Sequence, residues 1–395
     1  MKNTLMPSER LSVVDSLRGF ALLGIVLLHN LEHYNIYFKP EFIPSWLQSV
    51  DQGVWDTLFF FFGGKSYAIF SLLFGFSFFI QLRNAQKRGD SFKLRFAWRM
   101  VLLAMFAQLH AIFYNGDILL LYALVGLFLI PASYLKDKAV LWIAIILLLQ
   151  PLEWIKFIYA ICVPGYQPSP DMYEQYATIS IGSTMNDGFW NLIKTNIVEG
   201  QLFSFLWQVE NGRLLQATGL FYLGMLLGRK EYFVNTADSH IFWKKALKCA
   251  AIAFVPLYII NIWCVKLVDS NIMMIPFKIV LPSLMNFSMM AIYVSGFCLL
   301  WFKKKDGYRW QKITIPFGRM SLTNYITQSV IGVTLFYGFG FGLYQYTGAS
   351  VSLVIGVMIF VLLLYTSRRW LTSHKQGPLE YIWKKLTWIK LFSKI

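Results

Sequence analysis

Charge is scarce in this sequence. Of 395 residues, 14% are Asp, Glu, Lys or Arg, against 57% hydrophobic and 18% aromatic. An ordinary soluble domain carries about 25% charged residues, so that class is excluded. Cysteine is scarce as well. Cys162, Cys249, Cys264 and Cys298 are the only four, and none forms a Cys-x-x-Cys, so neither a redox motif nor a zinc site is indicated and no metal is expected. There is no Gly-x-Gly-x-x-Gly and no Walker loop, which argues against an ATP-driven pump. Solenoid repeats are absent. No small-residue cleavage site follows the first apolar stretch, so that stretch is expected to stay as a helix rather than leave as a signal.

What the sequence has in abundance is apolar runs of membrane length. Ten are apparent, at roughly 13–33, 56–80, 96–115, 117–135, 139–163, 205–228, 246–268, 277–302, 318–341 and 349–370, each near the twenty residues that cross a bilayer. Three boundaries are weak: Gly63-Gly64-Lys65, Pro151 with Glu153 and Lys156, and Glu210-Asn211 with Arg213. Breaks of this kind survive at membrane depth only where protein or water satisfies the backbone. The fold expected is an all-α polytopic bundle of about ten helices, one integral-membrane domain over 1–395. The net charge of +16 sits mainly in the segments between alternate runs, around 83–99, 229–248, 303–319 and 368–394. That distribution is a topology signal rather than a nucleic-acid footprint, and it puts both termini in the cytoplasm. Residues 164–204 then form the one long extracytoplasmic loop. Residues 371–395 read as an amphipathic tail on the inner surface, with Trp383, Trp388 and Leu391 dipping inward.

The first run carries the most informative pattern. Arg18 and His29 are eleven residues apart, which on a helix is a return to within about 20° and a rise of roughly 16 Å. They share a face with Asp15, Glu32 and His33 close by. A charged stripe on an apolar helix cannot face lipid, because each ionised group costs several kcal/mol there. It faces protein or a watery cavity, either as helix-to-helix glue or as a functional surface.

Other residues extend the pattern. Arg99 and His110 repeat the spacing of eleven. Asp117 follows His110 across a short turn with Asn115 and Gly116, where a carboxylate orients an imidazole and raises its basicity; whether it meets His29 or His110 is left open by the sequence. Asn324 and Gln328 stand at i and i+4, suited to binding a polar acceptor or to bonding neighbouring helices. Glu210 and Arg213 lie at the start of the sixth run, as sugar-contacting groups or as a local ion pair.

Four segments carry a resemblance: Arg10 and Asp15 with the run Leu17–His29; Gly116-Asp117-Ile118-Leu119 with Tyr122-Ala123; Gly318-Arg319-Met320-Ser321-Leu322-Thr323-Asn324-Tyr325; and Gly377-Pro378-Leu379-Glu380. Together they resemble the YeiB-like family of bacterial membrane proteins, over nearly the whole chain. The opening segment resembles the wider transmembrane acyltransferase superfamily, which includes acyltransferase family 3 and the heparan-glucosaminide acetyltransferase type. That resemblance implies an inner-membrane enzyme that moves an acyl group from acyl-CoA, acetyl-CoA first among candidates, to a hydroxyl or amine on an extracytoplasmic sugar or glycan. It implies that Arg18 meets the donor and that His29 acts as general base or acyl carrier; by their own positions Asp15 joins Arg18 as a donor-binding candidate, and His110 and Asp117 join His29 as catalytic candidates. Guanidinium binds oxyanions in two-pronged fashion and suits the donor contact; imidazole titrates near neutrality and suits the general base. The rival reading is a transporter or flippase of a small solute or lipid-linked intermediate, which uses the same buried polar groups without bond making.

Overall fold

The computed structural model describes residues 11–40, 42–89, 92–167, 169–270, 274, 276–304 and 307–389. Arg10 and Leu391 lie outside the described residues. Among the described residues every regular element is helical. The α-helices are α1 Ser12–Leu31, α2 Ser45–Phe62, α3 Lys65–Lys87, α4 Phe92–Ala111, α5 Leu119–Ala132, α6 Asp137–Leu148, α7 Pro151–Cys162, α8 Tyr173–Asn186 and α9 Phe189–Thr195. After a π turn at Asn196–Gly200 come α10 Gln201–Glu210, α11 Arg213–Arg229, α12 Ala237–Ser270, α13 Phe277–Lys303, α14 Arg309–Ile313, α15 Ile315–Arg319, α16 Ser321–Phe336, α17 Ala349–Ser373 and α18 Pro378–Thr387.

Each of the ten apolar runs overlaps a helix. Among the described residues five segments, α1, α2 with α3 as one span, α12, α13 and α17, are long and apolar enough by length and composition to cross a membrane, and the bent pair α6–α7, kinked by 48°, makes a sixth if it is one span. The other runs fall short for visible reasons. The α5 helix has 14 residues, about 21 Å against a hydrocarbon core of about 30 Å. The α4 helix is charged at Lys93, Arg95 and Arg99.

The three weak boundaries are real breaks. Each holds a residue in the left-handed region: Gly64 at φ 73°, Gln150 at φ 56° and Gly212 at φ 71°. Two of the breaks satisfy one another. The buried Gln150 side-chain amide donates to the Gly212 carbonyl at 3.0 Å and to Ser283 Oγ at 3.3 Å, so the exposed backbone of the α10–α11 break has a partner inside the protein.

Helix α1 is the hub, packed against α2, α3, α13, α14, α15, α16 and α17. Its contact with α15 is as close as two backbones can come: a Cβ on Gly19 would lie 2.1 Å from the Thr314 carbonyl oxygen, and one on Gly318 would lie 1.9 Å from that of Asp15. The α3–α11 pair uses the same device, with Gly75 against the Phe221 carbonyl and Gly224 against that of Leu72. In lipid there is no hydrophobic gain in bringing helices together, so association relies on close packing and hydrogen bonds, and small residues supply it.

Two segments differ from expectation. Residues 164–204 fold into α8, α9 and the π turn rather than a loop. Polar bonds fasten them to the core: Asn115 Nδ2 donates to Ser180 Oγ at 2.7 Å, Asn196 Nδ2 to the Ile112 carbonyl at 3.1 Å, and the Gly338 amide to the Thr184 carbonyl at 2.9 Å. The tail helix α18 packs on α4 and α16; Trp383 and Trp388 lie against arginines of α4, as set out below, while Tyr381, Ile382, Leu386 and Trp388 keep exposed apolar surface.

Gly318→Val puts a branched side chain where even a Cβ meets backbone. It is expected to destabilise the protein by about 2 kcal/mol or more and to lower the thermal midpoint in detergent. Gly296→Ala, where a Cβ meets nothing within 4 Å, leaves the midpoint unchanged or raises it slightly.

Candidate functional site

The polar groups of α1 are met one by one by neighbouring helices. Asp15, 2% exposed, pairs with Arg18 at 3.0 Å, and Arg18 also donates to Ser77 Oγ on α3. The Ser16 hydroxyl donates to the Gln311 carbonyl, and the Thr314 hydroxyl returns a bond to the Ser16 carbonyl at 3.0 Å. Near the far end, Asn30 Nδ2 donates to Tyr34 Oη at 3.3 Å, and His33 Nε2 lies 2.8 Å from Ser352 Oγ. The charged and polar stripe is therefore buried in the bundle, as its cost in lipid requires.

His29 and Gln328 meet. Gln328 Nε2 lies 3.0 Å from His29 Nδ1, while its Oε1 accepts from Tyr34 Oη at 2.8 Å. In that orientation Gln328 donates to Nδ1, so neutral His29 carries its proton on Nε2 and presents a donor there. Asn324 is engaged otherwise. Its Nδ2 donates to the Phe317 carbonyl at 3.1 Å and to Ser367 Oγ at 2.9 Å, which makes it a tie between α15, α16 and α17.

Asp117 meets His110 rather than His29. The Asp117 Oδ1 to His110 Nδ1 distance is 2.7 Å, with both side chains buried. The second oxygen, Oδ2, accepts from the Leu119 and Leu120 amides at 3.0 and 3.3 Å, capping α5. The Asp117 backbone carbonyl accepts from Ser204 Oγ and Gln208 Nε2, each at 2.9 Å. A carboxylate only accepts, so the proton of neutral His110 sits on Nδ1 and Nε2 keeps its lone pair. Among the described residues that Nε2 has no hydrogen-bond partner, although it is buried.

Two tyrosines join the imidazoles. Tyr114 lies 5.3 Å from His29 and 5.7 Å from His110 between ring centres; Tyr325 lies 6.2 and 5.1 Å from them. The Tyr325 hydroxyl is likewise buried without a partner at hydrogen-bonding geometry. Tyr325 stood in a motif of the sequence, but nothing there marked it as the residue between the two histidines.

A cavity of about 650 Å³ runs up to this cluster, lined at its inner end by Tyr67, Ile118, Tyr122 and Tyr325. Neither imidazole lines it, and Tyr325 stands between. Its mouth is basic: Arg18, Arg83, Arg88, Arg95, Arg99, Arg319 and Lys384 face two acids, Asp15 and Glu380. The tail helix closes one side. The Arg99 guanidinium stacks 3.6 Å from the Trp383 ring centre and that of Arg95 4.0 Å from Trp388, while Trp383 Nε1 donates to the Arg99 carbonyl at 3.0 Å.

The motifs at 318–325 and 377–380 form one clasp. Glu380 Oε1 accepts from the Leu322 and Thr323 amides at 2.7 and 3.2 Å, and Oε2 from Thr323 Oγ1 at 2.6 Å. A carboxylate at the positive end of α16 satisfies donors that the helix leaves open. Arg319 adds a bond to the Lys375 carbonyl at 2.8 Å.

The remaining expected pair stands apart. Glu210 accepts from the Met172 and Tyr173 amides at 3.0 and 3.1 Å, at the start of α8. Arg213 lies 4.1 Å over the Tyr67 ring and 5.5 Å from that of Trp207. Among the described residues the two form no ion pair with one another. Nearby Asp171 has its carboxyl raised above the ordinary value by burial and by the charges of Glu210 and Glu174. Among the described residues no cluster of His, Cys, Asp or Glu is placed to hold a metal ion.

Apolar helices of spanning length, a buried polar hub and a basic cavity define the class: an all-helical membrane protein with an internal site. Residues 227–390 match the family described as "Protein of unknown function (DUF418)". The chain is similar to the uncharacterized protein YxaH of Bacillus subtilis (strain 168), 26% identical over 97% of the chain and 96% of the relative. It is also similar to an uncharacterized 39.9 kDa protein in the amylase 3′ region of Bacillus acidopullulyticus, 27% identical over 97% and 95%. The uncharacterized protein YeiB of Escherichia coli (strain K12) is 26% identical over 96% of each. No solved structure gives a significant match. These similarities support a YeiB-like family. The matched residues 227–390 contain both halves of the Glu380 clasp; α1 and the His110–Asp117 pair lie before them.

Glu380→Ala uncaps α16 and frees α18. It is expected to cost about 1 kcal/mol and to make the tail cleavable by protease at concentrations that leave the intact protein whole. Cleavage at the wild-type rate would show that the clasp does not hold the tail.

Proposed function

We propose that the protein is an acyltransferase of the bacterial cytoplasmic (inner) membrane, within the transmembrane acyltransferase superfamily, and that it passes an acyl group from an acyl-CoA thioester to a hydroxyl or amine on an extracytoplasmic sugar or glycan. One observation carries the reading: a basic-mouthed cavity ends beneath a buried Asp–His pair whose imidazole nitrogen has no partner. Buried polar atoms are ordinarily satisfied, and one left open in a site is explained by a reactant that supplies the bond. The concentration of arginine and lysine at one end of the bundle favours that end in the cytoplasm, which puts the donor cavity inside and the histidines toward the opposite face.

The hydrogen bonding favours a division of labour different from the one suggested by the first helix alone. His110, held in the Nδ1–H tautomer by Asp117, is the base. It takes the acceptor proton as the acceptor oxygen or nitrogen attacks the thioester carbonyl. The carbon–sulfur bond then breaks, and the imidazolium returns the proton to the departing thiolate. His29 presents Nε2–H and Tyr325 its hydroxyl, so both serve as donors to the oxyanion. Arg18, already balanced by Asp15, positions the donor arm rather than carrying its full charge. Helices α8 and α10 cover the Asn115–Asp117 turn through Ser180, Ser204 and Gln208 and limit water at the acyl group.

The transporter reading draws on the helix breaks at Gly64, Gln150 and Gly212, which transporters also use. Donor chemistry separates the two. Purified protein incubated with acetyl-CoA and cell-envelope glycan is expected to release free thiol and acylate the glycan. His110→Ala and Asp117→Asn, folded as judged by thermal midpoint, are expected to lose about 10²-fold or more of the rate, and His29→Ala about 10-fold to 10²-fold. Movement of an unaltered solute into vesicles with no thiol released would make the protein a transporter.

A further inference from the structure

The basic residues at the cavity mouth are not equivalent. Arg18 is paired with Asp15 and Arg83 with Glu231 at 2.6 Å, and Glu380 is spent on α16. Arg95, Arg99 and Lys384 have no carboxylate at ion-pair distance among the described residues. Arg95 and Arg99 are i and i+4 on α4, so they project side by side. Each guanidinium lies on a tryptophan face of α18, which fixes its plane and leaves its N–H edge for an oxyanion. Among the described residues the buried Nε of Arg95 has no partner. Three cations with no carboxylate at ion-pair distance among the described residues, in a cavity whose two acids Asp15 and Glu380 are engaged elsewhere, make an anion site.

We infer that Arg95 and Arg99, with Trp383, Trp388 and Lys384 of α18, form a phosphate head-group site whose occupant sends a long arm up the cavity toward Tyr325. The tail helix is thereby one wall of a ligand site. From Arg99 to His110 the α4 axis rises about 16 Å, so head group and reacting atom must be separated by an extended arm. Gln81, Asn84, Ser77 and Tyr122 line the way. Ser77 and Tyr122 are already hydrogen-bonded within the bundle; an arm bearing amides offers Gln81 and Asn84 hydrogen bonds that a hydrocarbon arm does not, a difference of about tenfold or more in affinity. The occupant favoured is therefore a nucleotide diphosphate carrying an amide-rich thiol arm. The other source of the same chemistry is a polyprenyl diphosphate. This inference rests on the acyl-transfer reading for the identity of the arm and on the geometry of α4 and α18 for the head group.

The test is calorimetric titration of the full-length protein in detergent with coenzyme A and, separately, with farnesyl diphosphate. Coenzyme A is expected to bind the wild type, with affinity at least about tenfold lower in Arg95→Gln and Arg99→Gln and unchanged in the remote variant Lys245→Gln. A second measurement covers variants that fail to fold: in Lys384→Cys protein, acetyl-CoA, whose sulfur is blocked and cannot consume the reagent, is expected to slow maleimide labelling severalfold over the background of the native cysteines. Farnesyl diphosphate binding with the same arginine dependence, and no coenzyme A binding, would keep the head-group site and remove the acyl-CoA reading. Equal coenzyme A affinity in wild type and both arginine variants, with no protection of Lys384→Cys, would overturn the head-group site and leave acyl transfer standing. No binding of either ligand to the wild type would overturn both.

Discussion

The structure depends on one constraint: the polar stripe of α1 has to be satisfied away from lipid. Asp15, Arg18, Ser16, His29, Asn30 and His33 would each be costly at bilayer depth, and each has a partner on another helix or within its own turn. Meeting that demand draws α3, α15, α16 and α17 around α1. The Gly19–Gly318 contact, with a Cβ excluded on both sides, brings α15 near enough for Ser16 to reach Gln311 and Thr314. That closeness in turn sets the start of α16, and so the position of Tyr325 and Gln328. Packing and chemistry are thus joined: the interactions that make the bundle also hold two imidazoles against the same two tyrosines.

Much of this was legible in the sequence, and the reasons are specific. The eleven-residue spacing of Arg18 and His29 is a helical period, so it placed both on one buried face. The breaks at Gly64, Gln150 and Gly212 were marked by glycine, proline and charge inside apolar runs. The Asp117 side chain could be assigned to an imidazole but not to a particular one, because a seven-residue separation across a turn and a ninety-residue separation through space look alike without coordinates. The motifs at 318–325 and 377–380 were visible as strings, yet their joint role as a clasp rests on a contact between residues more than fifty positions apart.

Other features stayed hidden for equally physical reasons. Residues 164–204 are poor in long apolar runs and rich in proline and polar residues, which reads as loop; tertiary bonds from Asn115, Asn196 and Gly338 make them helical. The tail looked like a membrane-surface helix because tryptophan and lysine alternate there. Its tryptophans also stack on arginines of α4, a contact that amphipathicity alone does not reveal. Arg95 read as a topology signal and Arg99 as that and as the partner of His110 in a repeated spacing; a cation lacking a carboxylate among the described residues is recognised only through the neighbours it does not have.

The central claim is that an acyl donor enters through the basic mouth and brings its carbonyl to Tyr325, between His29 and His110. The most direct measurement is a structure of the protein in lipid nanodiscs with a non-hydrolysable acyl-CoA thioether. The account predicts density for phosphates beside Arg95 and Arg99, with the acyl carbon near the Tyr325 hydroxyl and within reach of His110 Nε2. An empty cavity at saturating ligand, or an analogue bound with its acyl end at the arginines, would contradict it.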